Sequence, residues 1–295
     1  MIKSNKANSC KKTYKPLQEL DLIDAFLFGA STEKPQDAEF IAKLIIERAT
    51  NEKVDKISVV SEKEFSGIDI SYHGIRMDLY VEEYEEKRLA KVYDIEPNKY
   101  KPSELPMRSR YSQSLTDVKL LKAGEPYESL PEYISIWILP YDPFGKNQML
   151  YTVKNCVEEY PELVYNDGVK RLFLYVGGEL GGTEKLKDML HYFSSSQKRN
   201  ATDADLEQLH SIVENAKRNQ EVGKRYMTLQ DMIDYEKKES FEDGVALGRE
   251  EGREEGIFIL ISSLKELDIP DEQILNQLME KFSLTKEKAE EYLNN

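Results

Sequence analysis

The chain has 295 residues, of which 40% are hydrophobic and 10% aromatic, so it can bury a sizeable core and is not wholly disordered. Its 55 acidic and 41 basic residues give a net charge of −14, which argues against indiscriminate binding to nucleic acid or to anionic membranes. A negative net charge does not exclude a local basic face.

The cysteine content and the hydropathy pattern indicate the cellular compartment. The two cysteines, Cys10 and Cys156, are too few for a disulfide scaffold or a structural zinc site. We expect Cys156 to be a buried, small apolar residue. Because the sequence has no apolar run of membrane-spanning length and no secretory signal pattern, we expect a cytoplasmic protein without a membrane partner.

The chain begins with a basic segment. Residues 1–15 carry five lysines and no acid, which predicts a flexible tail over residues 1–16. Such a tail is either simply solvated or acts as an arm that contacts phosphate groups.

Alternating helical and strand patterns follow, and we assign residues 17–200 to one α/β domain. Apolar residues at helical spacing predict a helix over Ala38–Arg48, and Ile57–Val60 predicts a strand. Period-two alternation then predicts strands over Gly74–Val81 and Lys91–Glu96. The charged run between these two strands, EEYEEKR, is predicted to be the connection of a hairpin.

One helix and three strands complete this domain in the prediction. The helix covers Leu105–Leu121, and the almost wholly apolar run Tyr133–Leu139 favours a strand that is covered on both faces. After an Asp-Pro-Phe-Gly turn, Met149–Val153 is predicted to pair back on that strand. Arg171–Val176 is the last predicted strand.

Residues 201–295 are predicted to be helical, with a long charged helix over Tyr226–Leu267 and a small helical end domain. Glycines recur every four residues in the long helix, at Gly244, Gly248, Gly252 and Gly256. Because each glycine costs an isolated helix up to ~1 kcal/mol, this spacing indicates either close approach of a second helix or a loosely ordered hinge. We hypothesise the first, in a homodimer formed through the C-terminal helices.

Acidic side chains concentrate on the predicted hairpin. Asp78 lies on the polar face of the first strand, whereas Asp94, Glu96 and Asn98 alternate on one face of the second. Since the strands are neighbours, Asp78 and Glu96 can converge, and two close carboxylates repel unless a proton or a cation intervenes. Oxygen ligands of this kind suit Mg²⁺ or another divalent cation, which can promote phosphodiester cleavage. The alternative is a solvated acidic face.

The motifs and their order resemble a known family. The segments GIRMDLYV (Gly74–Val81) and YDIEPN (Tyr93–Asn98) are similar to the metal-binding core of the PD-(D/E)XK nuclease superfamily. Together with DAFLF, RSRYSQSLTD, LPYDPFG and GREEGREEG, they resemble the recombination-promoting nuclease and putative transposase family within it. The resemblance implies a restriction-endonuclease-like fold, which is a mixed sheet flanked by helices. The strand, hairpin, helix and strand patterns from Ile57 to Leu139 predict the order α-β-β-β-α-β for its core, followed by an all-α C-terminal region.

The resemblance also implies roles for individual residues. Asp78 and Glu96 take the places of the metal ligands and, with Asn98, those of the catalytic residues. Asn98 stands where the superfamily usually has lysine and this family often has glutamine. Asparagine is neutral and short, so it can only hydrogen-bond, which leaves metal binding intact but bears on the rate of turnover.

Basic residues follow the predicted metal site, and six of them lie between Lys99 and Lys122. Arg108 and Arg110 either bind DNA phosphates or form salt bridges that hold the hairpin acids in place. The candidate supporting residues are Arg76, Asp94 and Asp24, and Asp24 either lies near the metal or caps a helix.

The sequence therefore predicts a Mg²⁺-dependent DNA endonuclease associated with recombination or transposition. The alternative is a catalytically weak or inactive member that acts as a DNA- or protein-binding, self-associating module, which Asn98 and the net charge favour. Convergence of Asp78, Glu96 and Asn98 in a cleft beside Arg108 or Arg110 would favour the nuclease.

Overall fold

The computed structural model describes residues 15–67, 71, 73–97 and 102–294. It divides into two compact units, one ending at Tyr226 and the other beginning at Met227. The predicted basic tail, apart from Lys15 and Pro16, and the predicted catalytic residue Asn98 lie outside the described residues.

The first unit has mixed α and β structure, as predicted. Its helices are α1 (Ala25–Ser31), α2 (Pro35–Thr50), α3 (Leu105–Leu120), α4 (Glu184–Ser194) and α5 (Ala204–Arg218). Its strands are β1 (Ile57–Phe65), β2 (Ile75–Glu85), β3 (Arg88–Pro97), β4 (Glu132–Leu139), β5 (Leu150–Val153), β6 (Cys156–Val157), β7 (Tyr160–Val164) and β8 (Val169–Tyr175). The predicted order α-β-β-β-α-β is confirmed over α2 to β4.

Six of the strands form one mixed sheet in the order β1-β2-β3-β4-β8-β5. The strand β2 is antiparallel to both β1 and β3. The strands β3, β4 and β8 run parallel to one another, and β5 is antiparallel to β8. The strand β4 is buried on both faces, as its apolar run predicts. Ile134 and Ile136 pack in the main core with α2, whereas Trp137 packs on the opposite face with Leu105 of α3.

The helix α2 covers the main core because its sequence supplies both its ends and its apolar face. Pro35 occupies the first turn, where its missing N–H costs nothing. The chain leaves the helix at Asn51, which adopts the left-handed conformation with φ of 58°. Between these ends, the apolar residues from Ala38 to Ala49 face the sheet and are buried.

The hairpin of β2 and β3 is longer than predicted. Both strands extend into the charged run, so the connection shrinks to a turn at Glu86 and Lys87, with Glu86 left-handed at φ of 56°. Cross-strand contacts explain why charged residues continue the ladder. The Tyr93 hydroxyl donates a hydrogen bond of 2.6 Å to Glu83, and the Lys91 ammonium lies 3.6 Å from the same carboxylate.

The prediction that residues 149–153 pair back on β4 is wrong. The strand β5 pairs with β8, because both edges of β4 are already occupied by β3 and β8. The prediction for Cys156 is also wrong. Cys156 lies in an exposed two-stranded hairpin of β6 and β7 that the sequence pattern did not indicate.

The helix α5 belongs to the first unit, so this unit extends beyond the boundary at residue 200 that the sequence suggested. A buried arginine, Arg48 of α2, fixes the start of α5. Its guanidinium lies 2.7 Å from the Asp203 carboxylate and donates a hydrogen bond to the Lys185 carbonyl. Asp203 in turn caps α5 by accepting from the Leu206 backbone N–H.

The second unit is helical, as predicted. The helix α6 (Gln220–Glu266) begins in the first unit, and α7 (Asp271–Phe282) and α8 (Lys286–Asn294) complete the end domain. Its small core is formed by Ile257, Ile261, Ile274, Leu278 and Ala289. None of the described helices combines the length and apolar character needed to cross a membrane.

Candidate functional site

The two predicted metal ligands lie opposite one another on adjacent strands. The register of β2 and β3 pairs Leu79 with Ile95, so the next pair brings Asp78 across from Glu96. The Asp78 backbone N–H donates to Glu96 Oε1 at 3.3 Å. The strand β3 ends at Pro97, which places this pair at a strand end, as predicted.

A cleft of about 1180 Å³ opens over this strand end, beside the first half of α3. Five of the predicted site residues line it and are brought together: Arg76, Asp78, Glu96, Arg108 and Arg110. Its other walls are formed by Ala25, His73, Gly74, Ile75, Pro97, Ser103, Glu104, Met107, Tyr111, Ser112 and Ser114. Its volume is slightly above the roughly 300–1,000 Å³ of ordinary small-molecule pockets.

The carboxylates of this site hold protons more tightly than ordinary carboxylates. Burial raises the pKa of Asp78 from 3.8 to about 6 and the pKa of Asp94 to about 7. Burial, and then the charges of Asp94 and Asp78, raise the pKa of Glu96 well above its usual value. Near neutral pH the carboxylates therefore compete for protons, and a cation bound between them would relieve their repulsion.

Asp94 supports the site from beneath and is not exposed to the cleft. It is 1% exposed, and the Tyr133 hydroxyl donates to its Oδ2 atom at 2.9 Å. Its Oδ1 atom is buried and has no hydrogen-bond partner in the part of the chain that the structure describes. Because Asp94 and Glu96 point to the same side of β3, the carboxylate of Asp94 lies close to those of Glu96 and Asp78.

Arg108 and Arg110 of α3 occupy different positions. The two roles predicted for them, binding of phosphate and salt bridges to the hairpin acids, therefore apply differently to each arginine. The positive charge of Arg108 lowers the pKa of Asp78, Asp94 and Glu96, so Arg108 faces the acids and partly neutralises them. Arg110 is exposed, and no acidic side chain among the described residues forms a salt bridge with it. Arg110 is thus available to a phosphate group.

Glu62 on β1 is a charged neighbour of the site that the sequence did not indicate. The ladder between β1 and β2 skips the pair of Glu62 and Asp78, and Glu62 adopts the left-handed conformation with φ of 51°. Its Oε1 atom accepts a hydrogen bond of 2.6 Å from Arg76. The Arg76 charge lowers the pKa of Asp78 and the Glu62 charge raises it, so both lie close enough to tune the site.

Asp24 acts as a helix cap, which is one of the two roles predicted for it. Its Oδ1 atom accepts a hydrogen bond of 3.0 Å from the Phe26 backbone N–H at the start of α1. Its neighbour Ala25 lines the cleft, so this cap positions the end of α1 beside the site.

The donor set fits a hard divalent cation through Asp78 and Glu96, which both line the cleft beside arginines that cannot act as ligands. No group of three or more His, Cys, Asp or Glu side chains forms a ligand cluster within the described residues. Two protein carboxylates leave positions on the cation for water and phosphate, which is the arrangement that Mg²⁺ prefers.

No family model, curated protein or solved structure matches this chain. Its function is therefore inferred from the residues of the cleft.

Proposed function

We propose that this protein is a divalent-metal-dependent DNA endonuclease with the restriction-endonuclease-like arrangement of the PD-(D/E)XK superfamily, associated with recombination or transposition. One observation carries the proposal. Asp78 and Glu96 meet at the ends of adjacent strands and line a cleft together with Arg108 and Arg110. Carboxylates that can hold a cation next to arginines that can hold phosphates are the parts that phosphodiester hydrolysis needs.

Asp78 and Glu96 would hold the metal ion, most simply Mg²⁺. When bound, such an ion lowers the pKa of a water molecule and offsets the charge that develops on the phosphate. The chain supplies the rest. Arg108 favours the ionised form of the acids, Arg110 positions a phosphate at the rim, and Asn98 would hydrogen-bond to the attacking water.

The alternative is a binding module that cleaves slowly or not at all. Asn98 favours it, because an asparagine lacks the positive charge that lysine would place beside the scissile phosphate. Such a protein would bind DNA and metal through the same cleft but would not hydrolyse the bound strand.

Cleavage of supercoiled plasmid in Mg²⁺ tests the proposal. We expect cleavage by the wild-type protein, its loss in EDTA, and its loss in Asp78→Ala and in Glu96→Ala. Asp55→Ala serves as the matched control, since Asp55 is exposed and does not line the cleft. All variants are purified identically, so that a contaminating nuclease would act equally in each.

Equal cleavage by wild type and by either cleft variant would refute the metal assignment. Binding of DNA without cleavage by the wild type would support the alternative module instead.

We also propose a homodimer formed through α6. Residues 234–255 of this helix are exposed apart from Val245, and they include the large apolar residues Tyr235, Phe241 and Leu247. A Cβ atom added at Gly244, Gly248 or Gly252 would meet nothing within 4 Å, so this stripe is open to a second helix. Arg249 and Arg253, which alternate with pairs of glutamates, could form ion pairs across two antiparallel copies.

Light scattering on the full chain at tens of micromolar, roughly where a specific interface should show, measures the assembly directly. A mass twice that of the chain is expected, because two active sites related by a two-fold axis would suit cleavage of both DNA strands. A monomer would refute the dimer without affecting the nuclease proposal.

A further inference from the structure

Two large apolar side chains lie exposed on the helical wall of the cleft. Met107 is 60% exposed and Tyr111 is 41% exposed, although both line the same cleft as the carboxylates. They are four residues apart on α3 and therefore neighbours on one face of the helix. Together they give this wall of the cleft an apolar surface that a bound ligand could contact.

Tyr111 is held in place while it stays exposed. Its hydroxyl donates a hydrogen bond of 2.5 Å to the carbonyl of His73, in the segment that leads into β2. The side chain is thus fixed at its backbone end by α3 and at its hydroxyl end by this segment. A ring that is already fixed loses little conformational freedom when a ligand stacks on it.

A cation lies beside this apolar pair. Arg110 precedes Tyr111 in the chain, is three residues beyond Met107 and is exposed at the same rim. No described acidic side chain pairs with it, so its charge is available. Aromatic and apolar groups next to an arginine match a single strand of nucleic acid, whose bases offer flat apolar faces and whose phosphates offer charge.

A duplex would use this surface poorly. In a continuous double helix the base faces are stacked on one another, and the backbone presents mainly phosphate and sugar. Met107 and Tyr111 would then contact only sugar and phosphate, whereas an unpaired segment can place a base against each of them.

We propose that the cleft takes a single-stranded DNA segment, such as the unpaired end of a duplex, with bases packed on Tyr111 and Met107 and a phosphate on Arg110. This inference rests on the proposed function, since it names the substrate of that same cleft. It predicts that cleavage occurs at or next to unpaired nucleotides.

Fluorescence anisotropy with labelled oligonucleotides tests the proposal on the full chain. The probes are a single strand, the blunt duplex of the same sequence, a duplex with an unpaired end, and the RNA single strand. The titrations are made in EDTA, so that binding is measured without metal-dependent cleavage. We expect the single strand and the unpaired end to bind at least about tenfold more tightly than the blunt duplex.

Variants separate stacking from general attraction. Tyr111→Ala should weaken single-strand binding at least about fivefold, the low end of measured base–aromatic stacking, and change blunt-duplex binding less than about twofold. Met107→Ala removes an apolar contact without a ring and should weaken single-strand binding by a smaller factor. Tyr111→Phe keeps the ring and should retain at least about half of the affinity. Tyr127→Ala is the control, because Tyr127 is exposed but does not line the cleft.

Equal affinity for the single strand and the blunt duplex would overturn the proposal, as would single-strand binding that neither alanine variant weakens. Much tighter binding of RNA than of DNA would overturn the assignment to DNA. Plasmid cleavage that is lost in Asp78→Ala, together with single-strand binding that Tyr111→Ala leaves unchanged, would leave the nuclease proposal standing and refute only this inference.

Discussion

Replacing Asp78 with asparagine should make the metal-free protein more stable, and only above acidic pH. Burial raises the pKa of Asp78 from 3.8 to about 6 in the folded chain. Well below pH 3.8 the carboxyl is protonated in both the folded and the unfolded chain, and it costs nothing. As the pH rises from 3.8 to about 6, the unfolded chain releases this proton while the folded chain still holds it, so stability is lost across this range and the loss is complete above it.

The size of this loss follows from the pKa. The difference between 3.8 and about 6 corresponds to about 3 kcal/mol of unfolding free energy once Asp78 is fully ionised. Asparagine has nearly the same shape and cannot ionise, so Asp78→Asn should recover up to about 3 kcal/mol near pH 8 and almost nothing near pH 4. For a unit of this size the gain corresponds to an increase in Tm of about 6–12 °C.

Urea unfolding in EDTA at about pH 4 and about pH 8 measures the effect. Trp137 is the single tryptophan and is buried in β4, so its fluorescence reports on the unit that contains the cleft. Asp55→Asn is the control for a change of one exposed charge. Added Mg²⁺ should stabilise the wild-type protein near pH 8 and leave Asp78→Asn unchanged, because binding to the folded state alone shifts the equilibrium.

The reasoning is refuted if Asp78→Asn lowers stability near pH 8, or if its effect is the same at both pH values. Either result would mean that Asp78 is ionised in the folded chain without a penalty and has no need of a cation.

Three further predictions concern neighbouring parts of the chain. Tyr133→Phe removes the 2.9 Å hydrogen bond to Asp94 and should lower the free energy of unfolding by about 1–3 kcal/mol in the same urea assay. An unchanged free energy of unfolding would contradict the supporting role of Asp94. Asn98→Lys should raise the rate of plasmid cleavage modestly by restoring a cation near the phosphate, whereas a lower rate with intact metal binding would show that Asn98 already has a specific role. Gly248→Ala combined with Gly252→Ala should stabilise the isolated helix by up to ~1 kcal/mol per site but reduce the dimer fraction in light scattering. A larger dimer fraction would contradict close packing of two α6 helices.

The hairpin and its paired acids could be predicted because the information is local. Period-two alternation in β2 and β3, with a connection too short for anything but a hairpin, makes the strands antiparallel neighbours. The pairing of these two strands brings Asp78 opposite Glu96 without depending on the rest of the fold. The length of the strands could not be predicted, because the charged residues near the turn take part in the ladder only through partners such as Tyr93 with Glu83.

Other features depend on contacts between distant parts of the chain. Asp94 alternates with the apolar positions of β3 like any surface acid, and only the packing of this face of the sheet buries it against Tyr133, 39 residues away. Glu62 belongs to a plain polar run, and nothing in that run shows that its backbone turns left-handed beside Asp78. Likewise, the choice of β8 as the partner of β5 was settled only by which strand edges remained free.

The balance of charge in the cleft is the strongest physical reason to expect a cation there. A structural ion-pair network buries charges in matched numbers, because an unmatched buried charge costs several kcal/mol. Here three carboxylates, Asp78, Asp94 and Glu96, share the positive charge of Arg108, and burial raises the pKa of every one of them. Arg76 lies close enough to act on Asp78, but its guanidinium is already paired with Glu62. Among the residues that the structure describes, the carboxylates of the site therefore outnumber the positive charges beside them, and a bound divalent cation would offset this excess.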